Sequence, residues 1–270
     1  MRFDAHAHIA SWPNAKECER NLIEGMKKYH FDAALVTSCD TMEYIDSNIR
    51  KRNKNNLSAI EGFKQVYRLH KSYPEKIFCG LWVNPHNEKV DTRLKEFIKK
   101  YRKDIYCIKV HPSCSCLKIS DKRILPYVSL AREFDLPMLF HTAMDKYANI
   151  GMLKELALKN PDIKFVAAHL ELLTDNKFAI ECLKEAPNLY ADTAWVPLKS
   201  AKKVLKEVGK ERIFFGSDNP IDGLDTLNNK KFYRAYYKNS LHLDEESYER
   251  LMLKNAIEFY KIPLDIKKSH

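Results

Sequence analysis

Short apolar runs rich in β-branched and aromatic residues recur along the chain, at Arg2–Ile9, Ala33–Thr37, Ile77–Val83, Ile105–Val110, Pro137–Phe140, Ile163–Ala168, Leu189–Ala191 and Arg212–Phe215. Most of them are apolar at successive positions rather than at alternate ones, which is what strands buried on both faces of a parallel sheet require. Between them lie amphipathic stretches. Glu17–Tyr29 places Leu22, Ile23, Met26 and Tyr29 at helical spacing, and Leu153–Leu158, Phe178–Leu183 and Ala201–Val208 repeat the pattern over shorter spans. Breakers such as Tyr73-Pro74, Asn160-Pro161 and Ala186-Pro187 stand just ahead of the next apolar run. Strand–helix alternation sustained in this way predicts an α/β fold with parallel strands, and no Pro/Gly/Ser-rich linker or shift of composition divides the chain. The expected architecture is a single (β/α)8 TIM-type barrel over residues 1–270, a length that such a barrel fits. An open doubly wound sheet would hold a phosphate on a Gly-rich turn, but the chain has only seven glycines and none forms G-x-G-x-x-G or a P-loop.

Composition narrows the class without naming a chemistry. Seven cysteines, an odd number spread from Cys18 to Cys182, read as reduced thiols in a cytoplasmic protein rather than as disulfide staples. Met1–Ile9 has no signal-peptide character, and no stretch is apolar enough to span a membrane. The net charge of +10 raises nucleic acid as a partner. Its densest runs, Arg50–Lys54 and Lys99–Lys103, lack the ladder of aromatic residues that a single-strand groove needs, so they read as solvated helix faces. What is left of the charge is a mild pull on anionic small molecules. Self-association as a homo-oligomer is compatible with all of this.

Candidate chemistry lies at the strand ends. His6 and His8 form an H-x-H on the first run, and side chains two apart on a strand share a face. His141 closes the fifth run, His169 the sixth, and Asp218 follows the eighth. One such residue alone is an ordinary capping or hydrogen-bonded group. The same positional rule on four strands is less easily accidental, because barrel active sites are assembled from the C-terminal ends of different strands. Imidazole and carboxylate are zinc-type ligands, and a catalytic site of that type keeps a position open for an activated water.

These same residues carry a resemblance. Phe3-Asp4-Ala5-His6-Ala7-His8, Leu136-Pro137 through His141-Thr142, Ile163-Lys164-Phe165 through His169, Asn188 through Thr193, Phe215-Gly216-Ser217-Asp218 with Pro220, and Asn255-Ala256 occur in the order found in the amidohydrolase superfamily. The chain resembles its amidohydrolase-related branch, which includes lactonases and nonoxidative decarboxylases. That resemblance implies one divalent ion, zinc with manganese as the alternative, held by His6, His8, His141 and Asp218. His169 would be an acid/base beside it, or a ligand if a second metal binds, and Asp218 would also take a proton from the attacking water.

Lys109, on the fourth strand Ile108-Lys109-Val110-His111-Pro112, stands where binuclear relatives carry a bridging carboxylated lysine. The favoured reading is an uncarboxylated ammonium that anchors a substrate carboxylate. His111 shares its face, and either helps bind substrate or is a hydrogen-bonded barrel residue. Cys114 and Cys116 form a lone C-x-C without the second pair of a structural zinc site. The expected activity is metal-dependent hydrolysis of a small ester, lactone or amide, with decarboxylation or hydration of a small carboxylic acid as the alternative. A TatD-type nuclease is disfavoured, since it would carry an acidic residue in place of Lys109 and Glu-Thr-Asp in place of Gly216-Ser217-Asp218. A binding protein that had lost catalysis would have little reason to keep all five polar residues.

Overall fold

The computed structural model describes residues 1–11, 14–43, 57–220, 226–229, 232–239 and 242–264. The basic run Arg50–Lys54 lies outside them. All eight predicted strands form: β1 Phe3–Ile9, β2 Ala33–Ser38, β3 Ile77–Trp82, β4 Ile105–Val110, β5 Met138–Ala143, β6 Phe165–Leu172, β7 Leu189–Asp192 and β8 Ile213–Phe214. Each pairs in parallel with the next in sequence. Parallel neighbours need a long crossover, and helices on the outside supply it. The four sequence-predicted helices are present as Ala15–Lys28, Ile150–Lys159, Lys177–Glu185 and Leu198–Glu207. Three more, Ala59–Ser72, Thr92–Tyr101 and Leu125–Glu133, were not singled out from the sequence. The first of these starts at a capping box, Ser58 with Glu61, and the second at an Asp91 side-chain cap. Lys99, Lys100 and Lys103 are exposed at the end of Thr92–Tyr101, as a solvated helix face requires.

Two apolar layers follow from strands that are buried on both faces. Outward-facing Val36, Ile108, Val110, Met138, Phe140 and Phe165 pack with Leu22, Met26, Phe63, Val66, Ile98 and Leu153 of the helices. Inside the barrel, Phe3, Leu35, Phe78, Cys107, Leu139, Val166 and Phe214 form a second cluster. Residues from the C-terminal helix Asn255–Tyr260, with Leu253 and Ile262, fill the N-terminal end of that cluster like a plug. The polar end of the barrel is therefore the opposite one.

The eighth strand is short, and the barrel closes through the segment after it. Ala5 N donates to Phe215 O at 2.9 Å, Asp218 N to His6 O at 2.7 Å, and His8 N to Asn219 O at 2.9 Å. Asn255 Nδ2 holds the base of β8 by donating to Lys210 O and Ile213 O at 2.7 and 2.8 Å. So close a junction leaves no room at Gly216. A Cβ there would meet His6 Cβ at 2.8 Å and Asp192 Cβ at 3.1 Å.

Gly216→Ala is accordingly expected to destabilise the protein by about 1–3 kcal/mol, the usual cost of overpacking. A urea or thermal unfolding curve measures it, and a midpoint equal to that of the parent would show that the β8–β1 junction has slack.

Candidate metal centre

Inward-facing residues alternate along each strand, and the alternation delivers most of the polar groups. On β4, Cys107 belongs to the inner apolar cluster, so Lys109 and then His111 project from the same face. On β5 the same rule carries Leu139 to His141, and on β2 Leu35 to Thr37. Two strands break step. In β1 the pairing with β2 shifts between Asp4 and Ala7, so that Phe3 and Ala5 face inward below and His6 and His8 above. In β6 the register passes from His141↔Ala168 to Ala143↔Leu172, four residues of β6 against two of β5. That bulge turns His169, which alternation from Val166 and Ala168 would point outward, into the barrel.

The bulge is strained. His169, Leu170 and Glu171 have φ of 71°, 47° and 63°, and Asp218 and Trp195 share the left-handed region at 63° and 58°. Residues held there cost of order 1–3 kcal/mol each. Hydrogen bonds offset the cost: His169 N donates to Asp192 Oδ1 at 2.9 Å, Glu171 N to Thr142 Oγ1 at 2.9 Å, and Asn176 Nδ2 to Leu170 O at 2.6 Å.

Ligand atoms of His6, His169 and Asp218, all buried, lie within 4.8 Å of one another. His8 joins them through Nε2, 2.9 Å from Asp218 Oδ1, with its Nδ1 2.9 Å from Thr37 Oγ1. Lys109 Nζ donates to His6 Nε2 at 2.9 Å and lies 5.5 Å over the Trp82 ring. His141 sits one ring further out, edge-on to His169 at 4.8 Å and stacked on His111 at 3.8 Å. His111 Nδ1 in turn accepts from Cys114 N at 3.3 Å. All of the sequence-predicted site residues therefore meet at one end of the barrel, with His6, His8, Lys109, His169 and Asp218 at the centre and His141 and His111 beside them. Cys114 faces Met42 Sδ at 3.1 Å and Cys116 faces Ser113 O, so the C-x-C pair turns to separate partners.

Burial sets the protonation states. It lowers His6, His111 and His141 well below the ordinary histidine range and His169 to about 4, so these rings are neutral bases at pH 7. Burial also lowers Lys109, against the pull of Asp218 and Asp192. Asp218 would be raised by the same burial, but the His8 hydrogen bond and the nearby His6 and His169 outweigh it and keep the carboxyl well below its usual range. Asp4 is pushed by burial up to about 7 despite hydrogen bonds from Ser217 and from His6 N.

Three groups at the site escaped the sequence reading. Asp192, which ends β7, accepts from His6 Nδ1 at 2.7 Å. It obeys the positional rule that picked out His141, His169 and Asp218, and extending that rule to the seventh strand would have found it. Thr37 orients His8. Trp195 donates from Nε1 to Asp218 Oδ2 at 2.8 Å, and it lies in a turn for which the sequence carries no signal.

The donor set suits a divalent cation. Asp192 accepts only, so His6 carries its proton on Nδ1 and presents a lone pair at Nε2. His169 likewise gives Nδ1 to Ala194 O at 3.2 Å and keeps Nε2 free. Outer partners that fix the tautomer in this way are typical of ligating histidines. Asp218, ionised, completes a nitrogen and oxygen set. A cavity of about 360 Å³ opens at the other end of the barrel among Tyr106, Lys164 and Phe259, far from these groups.

The family model described as Amidohydrolase matches residues 3–262. No curated protein sequence matches. Among solved structures, 5-carboxyvanillate decarboxylase from Novosphingobium aromaticivorans is similar at TM-score 0.70 with 12% identity, over 97% of this chain and 96% of that one. The 4-oxalomesaconate hydratase of Rhodopseudomonas palustris gives 0.69 with 16% identity over 97% and 96%. A probable 2-pyrone-4,6-dicarboxylic acid hydrolase from Acinetobacter baumannii gives 0.67 with 11% identity over 96% and 99%. Likeness at such identities concerns the fold, and the barrel is common to all three. With the family match running through every strand that carries a site residue, the chain belongs to the amidohydrolase family.

Proposed function

We propose that this protein is a metal-dependent hydrolase acting on a small ester, lactone or amide that carries a carboxylate. The observation that carries the reading is the approach of His6, His169 and Asp218 within 4.8 Å, with both imidazole lone pairs fixed by outer partners. His6, His8 and Asp218 would hold one divalent ion, zinc or manganese, together with His141 or His169. Bound there, the ion would supply Lewis acidity, easing loss of a proton from water near neutral pH and polarising a carbonyl.

The chain's own groups do the rest. Asp218, kept ionised, accepts the proton of the attacking water at Oδ1. With His141 as the fourth ligand, His169, neutral at pH 7, takes that proton from Asp218 at its free Nε2 and passes it to the leaving group. Lys109 shares the His6 Nε2 lone pair in this structure. With that lone pair engaged by a cation, the Lys109 amine would be free to face a substrate carboxylate, and burial would make such an ion pair stronger than it is in water. Trp82 and Trp195 wall the site with apolar surface.

Decarboxylation or hydration of a carboxylic acid is the second reading, and the fold neighbours favour keeping it. One neighbour is a decarboxylase complexed with manganese and 4-hydroxy-3-methoxy-5-nitrobenzoic acid, one is a hydratase, and one is a probable dicarboxylic acid hydrolase with citric acid bound. A panel of lactones, esters and aromatic carboxylic acids, assayed with zinc- and manganese-loaded protein, separates the two. Acid released without carbon dioxide supports hydrolysis, whereas carbon dioxide release transfers the assignment to decarboxylation.

Elemental analysis of purified protein is expected to find close to one divalent ion per chain, and changing His6 and His8 together to Ala to remove it. Unchanged metal in the double variant would dislodge the assigned site, and two ions per chain would favour a bridging Lys109. Lys109→Met is expected to keep the metal while weakening carboxylated ligands; loss of metal from that variant would mean a bridge. Asp218→Asn keeps the shape and one ligating oxygen but removes the base, so hydrolysis should fall by about 10²- to 10⁴-fold. Near-parental turnover would take Asp218 out of the mechanism.

A further inference from the structure

One short turn touches His6, His169 and Asp218, the three residues whose ligand atoms lie within 4.8 Å of one another. Asp192 closes β7 and binds His6 Nδ1 through Oδ2 at 2.7 Å, while its Oδ1 accepts from His169 N and Ala194 N at 2.9 and 3.1 Å. Thr193 Oγ1 bonds Gly216 N and O, both at 3.1 Å, and so ties the turn to the segment that bears Asp218. Ala194 O takes the Nδ1 proton of His169. Trp195 then reaches Asp218, donating from Nε1 to Oδ2 at 2.8 Å.

That last contact is built rather than incidental. Trp195 occupies the left-handed region at φ 58°, where tryptophan rarely sits. Its backbone N–H donates to Tyr233 Oη at 3.0 Å, and Tyr233 donates onward to Ser217 O at 2.6 Å, on the residue before Asp218. Phe232 and Tyr233 bracket the indole edge-on at 5.5 and 5.8 Å. The indole N–H is a donor only and does not titrate, so it fixes an acceptor at every pH at which the protein is folded.

The two oxygens of Asp218 thereby acquire different jobs. Oδ1 faces His8 Nε2 at 2.9 Å and His6 Nε2 at 3.4 Å, inside the cluster, while Oδ2 is occupied by the indole outside it. A free carboxylate could turn either oxygen, or both, toward a cation. We propose that Trp195 is a positioning residue that reserves Oδ2 and so presents Asp218 as a one-oxygen ligand and a one-oxygen base. This rests on the metal-binding reading of the site.

The test compares parent, Trp195→Phe, Asp218→Ala and the double variant. Cobalt(II) or zinc affinity is measured by competition with a chromophoric chelator, alongside the visible spectrum of the cobalt form and the unfolding midpoint. Phe keeps an aromatic ring there but removes the N–H together with part of the indole's bulk, and the Asp218→Ala background separates the two effects. It is expected to bind metal about 10- to 100-fold more weakly, as loss of an outer-shell partner usually causes, with an altered cobalt spectrum. In the Asp218→Ala background the same change should cost no further affinity, because the oxygen it positions is gone. Equal affinity and an identical cobalt spectrum in parent and Trp195→Phe overturn the proposal and leave the metal site standing. A loss that persists in full on the Asp218→Ala background overturns it in favour of general packing. A parent that binds no metal at all removes the metal reading and this inference with it. A second measurement needs no Trp195 variant. Of the three tryptophan indole N–H resonances, one should move when Asp218 is replaced by Ala, and none moving would again overturn it.

Discussion

The amide of Asp218 donates to the carbonyl of His6 over 2.7 Å, and on either side Ala5 bonds Phe215 and His8 bonds Asn219. These are the bonds by which the last strand meets the first, since β8 itself holds only two residues in regular pairing with β7. Closing the barrel and bringing two candidate ligands together are thus one event. A chain that failed to close would have no site, and a shift of a single residue at this seam would carry Asp218 to the wrong face. Gly216 marks how tight the seam is, because its neighbours are the Cβ atoms of His6 and Asp192.

What closure creates is electrostatically expensive. Asp192, Asp218 and Lys109 are withdrawn from water together, with four histidines that burial holds neutral and an Asp4 that burial pushes up to about 7. Hydrogen bonds reduce the cost, yet packed apolar residues of the same volume would be an easier way to fill a barrel. Strain adds to it at His169, Trp195 and Asp218. Polar burial and backbone strain concentrated at one end of a fold, opposite an end plugged by Phe259, Ile257 and Ile262, are what a site maintained for chemistry looks like.

Much of this could be read from the sequence. The eight strands showed as short apolar runs, His6 and His8 as an H-x-H within the first, and His141, His169 and Asp218 as the polar residues that end or follow the fifth, sixth and eighth. Several helices could not be read in the same way. Leu125–Glu133 has a weak apolar stripe and no side-chain cap at its start, and Thr92–Tyr101 shows only Leu94, Phe97 and Ile98 on its buried face. The placement of His169 was reached by a rule that its own strand breaks, because a bulge, not alternation, turns it inward. Trp195 shows the limit most clearly: its contact depends on a left-handed residue in a turn and on a tyrosine 38 positions away, and no local pattern encodes either.

The division of labour that emerges is between strands and strand ends that carry the candidate ligands and one turn that contacts them. His6 and His169 lie on β1 and β6 and Asp218 on the segment after β8, their spacing fixed by barrel closure, but spacing alone leaves each side chain free to rotate. Asp192, Ala194 and Trp195 remove that freedom from one side, each holding the atom of its partner that points away from the centre. Because all three contacts come from a single segment, His6, His169 and Asp218 are held relative to one another and not only to their own strands. Thr193, bonded to both N and O of Gly216, makes the seam and the turn one rigid piece. Substrate choice can then vary in the loops above without disturbing the centre, and this is how a barrel common to a decarboxylase, a hydratase and a hydrolase can serve different reactions.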